Sequence, residues 1–256
     1  MFISLLFLPF AYAFQDIAVQ LSANAYCDDF ITTYERSINL GFDMDVWFSI
    51  NEYDTNGYIV HNDEYTVTVL RGSHSPRNWI DDFDLRLIDY EWCTDCEVHE
   101  GFYNYAMSAM EIVNTTLSTY PDHDHIFIGH SLGSSVIFLA NELRYLYDLN
   151  TYVYTFGSPR MGNEEFAEFT NWLMEERSFR YTHYHDIVPH IPMDARFEHY
   201  DLEYYENEYG NVTSMCDDGC SQQFHIYETN GDDHMWYLDQ YMGCYIPVPE
   251  DIIYLD

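Results

Sequence analysis

The run Gly129-His130-Ser131-Leu132-Gly133 sets a serine two residues from a glycine on either side, the spacing of a nucleophile elbow. A serine hydroxyl attacks poorly until a base takes its proton and a carboxylate fixes the tautomer of that base. Such a serine therefore calls for a histidine and an acid elsewhere in the chain. Twelve histidines and 44 acidic residues are available, and composition does not choose among them. Chain order does, because in elbow folds the acid and then the histidine follow the serine on loops at the carboxyl ends of later strands. Asp186 follows a strand-like run at residues 179–184. His234, the last histidine, closes the loop Asn230-Gly231-Asp232-Asp233-His234. The implied chemistry is acyl transfer from an ester through a covalent acyl-serine.

That reading requires a strand before the serine and a helix after it. Residues 125–128 are short and apolar, as a buried strand is, and residues 132–148 carry Val136, Leu139, Ala140, Leu143 and Leu146 at helical spacing. The glycines fit a turn too tight for a Cβ, and the helix start behind Ser131 directs N–H groups toward a developing oxyanion. Further elements alternate: a helix over 16–26, a strand over 65–70, a helix over 102–118 and a strand over 152–156. Strand-helix-strand alternation predicts an α/β fold with a largely parallel sheet. No repeat or linker divides the chain, so one domain is expected.

The chain has 256 residues and a formal charge of -35, with nine basic residues. All nine are arginine. Without lysine there is no Schiff base and no phosphate-loop lysine, and so acidic a surface repels nucleic acid. At 47% hydrophobic and 18% aromatic the chain should nonetheless fold. Residues 1–13 are an apolar run ending Ala11-Tyr12-Ala13, which predicts a signal peptide and a mature domain of residues 14–256. Six cysteines, Cys27, Cys93, Cys96, Cys216, Cys220 and Cys244, suit an oxidising compartment, with fifteen pairings open. Asn114 and Asn211 begin glycosylation sequons. Localisation is expected to be extracellular, or the lumen of an acidic digestive compartment. Asp217-Asp218 and Asp232-Asp233 lack the spacing of a calcium loop, so no metal is expected. The tyrosine-rich residues 200–209 are expected to form a half-buried strand or loop.

Several blocks together resemble a known family: Arg71-Gly72-Ser73, Asn78-Trp79-Ile80, Val98-His99-Glu100-Gly101-Phe102, the elbow, Thr155-Phe156-Gly157-Ser158-Pro159-Arg160, Asp186-Ile187-Val188-Pro189 and Asp233-His234-x-x-Tyr237. In this order they are similar to the fungal-type class 3 lipases of the α/β-hydrolase fold. The resemblance implies Ser131 as nucleophile, Asp186 as orienting acid, His234 as base, and oxyanion donors from Ser73 and the Leu132 N–H. His99 and His130 are expected to do structural work near the nucleophile. The resemblance pairs Cys27 with Cys244, Cys93 with Cys96, and Cys216 with Cys220. Between Ser73 and Cys93 it implies a mobile lid, on which Trp79, Ile80 and Phe83 would form one apolar face. The implied activity is a triacylglycerol lipase working without a cofactor, as a monomer in transient contact with an oil–water interface. A feruloyl esterase, a phospholipase A1 or a catalytically silent lipid-binding relative are the alternatives.

Overall fold

A computed structural model of the chain describes residues 8–73, 85–200, 202–214 and 220–244. The lid residues Trp79, Ile80 and Phe83, the acidic pair Asp217-Asp218 and Cys216 lie outside them. The chain begins with helix α1 (Leu8–Asn24) and helix α2 (Phe30–Asn39). Asp29 caps α2 by accepting the Thr32 N–H at 2.8 Å, satisfying one of the donors that a helix start leaves free. Strands β1 (Asp43–Ile50), β2 (Thr55–His61) and β3 (Tyr65–Leu70) follow as an antiparallel meander. A short hairpin, β4 (Leu87–Asp89) with β5 (Glu97–His99), leads to helices α3 (Glu100–Met107) and α4 (Met110–Leu117).

From there strands and helices alternate: β6 (Asp124–His130), α5 (Val136–Tyr147), β7 (Thr151–Phe156), α6 (Glu164–Met174) and β8 (Ser178–His183), then β9 (Glu203–Glu206) and β10 (Val212–Ser214). A small hairpin, β11 (Trp236–Tyr237) with β12 (Gln240–Tyr241), follows His234. The eight strands of the main sheet run in the order β1-β2-β3-β6-β7-β8-β9-β10. The pairings from β3 to β9 are parallel, and both edges are antiparallel. This is the α/β-hydrolase arrangement.

Strand alternation divides the core between the two faces of the sheet. Ile126 and Ile128 of β6 pack with Val67, Val69, Tyr154 and the α1 residues Ala18, Val19 and Leu21. Phe127 and Val153 point the other way, onto Phe102, Val113, Phe138, Leu139 and Phe166 of the remaining helices. Phe14 is buried against Phe42, Tyr65 and Tyr154.

Two expectations change in detail. The helix expected over 102–118 is broken between Met107 and Met110. The Tyr105 carbonyl, which an unbroken helix would give to Ala109, accepts the Thr55 and Ser108 hydroxyls at 2.8 Å. Ala109 N–H turns to Ala106 instead, at 3.0 Å. In the tyrosine-rich stretch, all four residues of β9 are buried rather than half-buried, because β8 and β10 cover both its edges.

Helix α2 faces the opposite way from an ordinary surface helix. Thr33 and Ser37 are its buried residues, whereas Phe30, Ile31, Tyr34 and Ile38 are 48, 65, 38 and 40% exposed. The small hydroxyl side chains turn inward because they can return their hydrogen bonds to the helix itself: Thr33 Oγ1 donates to the Asp29 carbonyl at 3.1 Å and Ser37 Oγ to that of Thr33 at 2.8 Å.

Candidate active site

Strand β6 ends at His130, and the chain turns directly into a tight 3-10 turn over Ser131–Ser135 before α5 begins. Ser131 has φ = 57°, a conformation that costs a non-glycine residue about 1 kcal/mol or more. The glycines beside it allow the turn: a Cβ on Gly129 would stand 2.0 Å from the Gly133 carbonyl oxygen, and one on Gly133 would stand 2.2 Å from that of Leu70. The second contact sets the end of β3, and hence Arg71-Gly72-Ser73, against the elbow. Ser73 is half-buried there, as is Leu132 just after the nucleophile candidate.

Asp186 and His234 meet in the structure. His234 Nδ1 lies 2.8 Å from Asp186 Oδ2, with both side chains buried. An ionised carboxylate can only accept, so Nδ1 carries the proton and Nε2 presents a lone pair. The other carboxylate oxygen accepts the Val188 N–H at 2.8 Å, and the Tyr237 hydroxyl donates to Oδ2. Burial, reinforced by the Asp186 charge, pushes the Tyr237 hydroxyl well above its ordinary pKa and keeps it a donor. Among the described residues, Ser131 Oγ and His234 Nε2 are buried without a hydrogen-bond partner. One is a hydroxyl able to donate and the other a nitrogen able to accept, the two functions that a serine–histidine relay would combine.

A second buried histidine supports the first. His130 stacks on His234 with ring centroids 4.4 Å apart, and its Nε2–H donates to the His234 carbonyl at 2.8 Å. Its Nδ1 accepts from the Tyr26 hydroxyl at 2.5 Å. Burial, and then the charge of His234 when protonated, holds the His130 pKa well below its ordinary value, so the ring stays neutral. Burial likewise raises Tyr26 and keeps its proton in place. His99 is also buried and caps α3 by accepting the Phe102 N–H at 3.2 Å.

The loops bearing Asp186 and His234 are joined through Asn230. Its backbone bonds both ways to the Asp186 loop, accepting from Ile187 N–H at 3.1 Å and donating to the His185 carbonyl at 2.8 Å. Its side-chain oxygen accepts the Asp232 and Asp233 N–H groups, each at 2.8 Å, which shapes the turn into His234. Gly157, at φ = 58°, passes so close that a Cβ there would lie 2.8 Å from Asp186 Oδ2 and from His234 Cε1. Sequence reasoning missed Tyr26, Asn230 and the packing role of Gly157. Only Asn230 left a local signal, the Asn-Gly-Asp turn chemistry ahead of His234.

Disulfides join Cys27 to Cys244 and Cys93 to Cys96; the implied partner of Cys220 is not among the described residues. Asn211 is exposed and Asn114 half-buried. Among the described residues no cluster of three or more His, Cys, Asp or Glu could hold a metal ion. Among them, too, no helix is long and apolar enough to cross a membrane.

Residues 67–195 match the family model of the class 3 lipases. The chain is 34% identical over 205 residues to a lipase of Rhizomucor miehei, covering 72% of this chain and 55% of that one. It is 30% identical over 173 residues to the secreted mono- and diacylglycerol lipase A of Penicillium cyclopium, covering 64% and 56%. It thus spans about half the length of these curated relatives. The solved structure of the R. miehei triacylglyceride lipase superposes with a TM-score of 0.78 at 30% identity, covering 89% of this chain and 94% of that one. Lipase II of Rhizopus niveus superposes with a TM-score of 0.80 at 26% identity, covering 92% and 97%. A family model matched across half the chain, on a fold shared nearly end to end with two fungal lipases, establishes that this chain belongs to the class 3 lipase family.

Proposed function

We propose that the protein is a secreted serine hydrolase of lipid carboxylic esters, foremost acylglycerols. The observation that carries this reading is the buried His234–Asp186 pair beside a left-handed Ser131, with Ser131 Oγ and His234 Nε2 both unpartnered. In the reaction Ser131 Oγ attacks the ester carbonyl while His234 Nε2 takes its proton. Asp186 holds the imidazolium in place, and the Leu132 N–H and Ser73 stabilise the oxyanion, each such donor contributing about 3 kcal/mol. His234 then protonates the leaving alcohol. Water, deprotonated by the same Nε2, attacks the acyl-serine and releases the acid. No step calls for a metal or cofactor.

Acylglycerols are favoured because the matched relatives are named for them: a triacylglyceride lipase in one case, a mono- and diacylglycerol lipase in the other. Removal of residues 1–13, export, and action as a monomer at an oil–water interface complete the proposal. The apolar leader, the sequons and the disulfides support its exported part. Ser131→Ala is expected to lower turnover of p-nitrophenyl butyrate by at least about ten-thousand-fold with the fold intact; undiminished turnover overturns the assignment. A panel of triolein, diolein, phosphatidylcholine and methyl ferulate separates the substrate classes, and a leading rate on the last two overturns the acylglycerol assignment.

A further inference from the structure

The outward apolar face of α2 has no use in the chemistry, and its place beside the site is fixed by three links. Tyr26, four residues before the helix, donates to His130. Asp28 pairs with Arg71 at 3.7 Å, just before Ser73. The Cys27–Cys244 disulfide ties the helix start to the end of the β11–β12 hairpin, which itself begins two residues after His234. On that hairpin Trp236 and Tyr241 pack at 5.3 Å while remaining 49 and 37% exposed. Gln240 of the hairpin shares a cleft with Arg36 and Asn39 of α2, so the two elements are neighbours.

Charge selects the occupant. In a chain with 44 acidic residues, the exposed positions of α2 are four large apolar side chains with Glu35 and Asn39. Asp28 and Asp29 stand at the helix start, both exposed. A face that is apolar in the middle and acidic at its margin suits an uncharged lipid surface and is repelled by an anionic one. An amphipathic helix presenting aromatic and branched aliphatic side chains toward the medium is the usual form of an interfacial anchor, and half-exposed Trp and Tyr suit the boundary between oil and water.

We propose that the outward face of α2, extended by Trp236 and Tyr241, is a fixed anchor that docks the protein on a neutral lipid surface with the active site turned toward it. The inference rests on the reading of the protein as an ester hydrolase of lipids, and it adds a docking element built into the body of the fold. The test uses the full chain, a triolein emulsion coated with phosphatidylcholine, and flotation to measure the fraction bound. A Phe30→Ser, Ile31→Ser double variant, altered only at exposed positions outside the acyl-transfer site, should bind at least about tenfold more weakly. Its turnover of dissolved p-nitrophenyl butyrate and its Tm should stay at the wild-type values. Trp172→Ser, at a side chain 65% exposed on α6, should leave flotation unchanged.

Wild type that does not float, equal flotation of the double variant, or an equal loss in Trp172→Ser each overturns the proposal. Under equal flotation, a change in sedimentation would assign the face to a second copy, and a fall in Tm would assign it to residues 245–256. Flotation that falls as expected in a protein hydrolysing no ester would retain the anchor and overturn the enzymatic reading instead.

Discussion

His130 and His234 lie face to face, 4.4 Å between ring centroids and 30° between planes, and the first also donates to the carbonyl of the second at 2.8 Å. His130, a buried neutral imidazole, thus holds His234 by its ring and its backbone at once. His130→Phe retains a flat ring but loses both hydrogen bonds, so His234 should wander from its working orientation. We expect kcat on a soluble ester to fall roughly ten- to a hundredfold with KM little changed. Steady-state kinetics check this, and an unaltered kcat would remove His130 from the positioning of the base.

Tyr26→Phe leaves His130 Nδ1 buried with no donor. An unpaired buried polar atom costs about 1 to 3 kcal/mol, so urea unfolding should show a loss in that range. Equal stability would mean that another donor reaches Nδ1.

Gly157→Ala combines a strained φ with contact against Asp186, His234 and the Tyr237 hydroxyl. Strain of this kind costs about 1 to 3 kcal/mol, and relief by moving His234 or Asp186 would break their hydrogen bond. Both Tm and turnover should fall. A variant that keeps full turnover would show that the loop yields without disturbing the pair.

His125, buried on β6, has its pKa lowered by burial to about 4. The unfolded chain carries this imidazole near 6.5. Between those values the unfolded state binds the proton and the folded state does not, so this contribution is fully present above about pH 6.5 and is lost as pH falls toward 4. It reaches up to about 3 kcal/mol. His125→Gln should therefore flatten the decline of stability over that window, as measured by denaturation at pH 7, 5.5 and 4.5. An unchanged slope would refute the contribution.

A formal charge of -35 should repel anionic interfaces. Hydrolysis of triolein droplets coated with phosphatidylcholine should exceed that of droplets coated with phosphatidylserine at low salt. The gap should narrow as the Debye length shrinks from about 30 Å at 0.01 M to about 8 Å at 0.15 M. Equal rates at low salt would exclude a role for the field.

The parts of the site legible in the sequence are those encoded over a few neighbouring residues. The elbow around Ser131 is one, because its glycines, strand and helix lie within about twenty positions. Asp186 and His234 are the natural candidates from chain order together with the strand end before Asp186 and the loop that closes on the last histidine. The strands Tyr65–Leu70 and Thr151–Phe156 are legible from their apolar, β-branched content. What escapes is set by distant contacts. Tyr26 meets His130 across 104 residues, and nothing near either position announces it. Strands β1 and β2 carry too many polar residues to declare themselves; β2 forms by pairing with β3, and the edge strand β1 by pairing with β2. The break in the helix after Met107 depends on Thr55, more than fifty positions upstream. The inverted α2 is hidden for the same reason, since its periodicity does not say which side will meet the core.

The Cys27–Cys244 bridge spans 217 positions and encloses Ser131, Asp186 and His234 in a single covalent ring. A protease that cuts one exposed loop within that ring therefore opens the ring without releasing a fragment. The nicked protein would migrate as one species until the disulfide is reduced, and the three proposed reacting groups would stay tethered through the first cut. The bridge would thus make a single cleavage survivable as well as stabilising the fold.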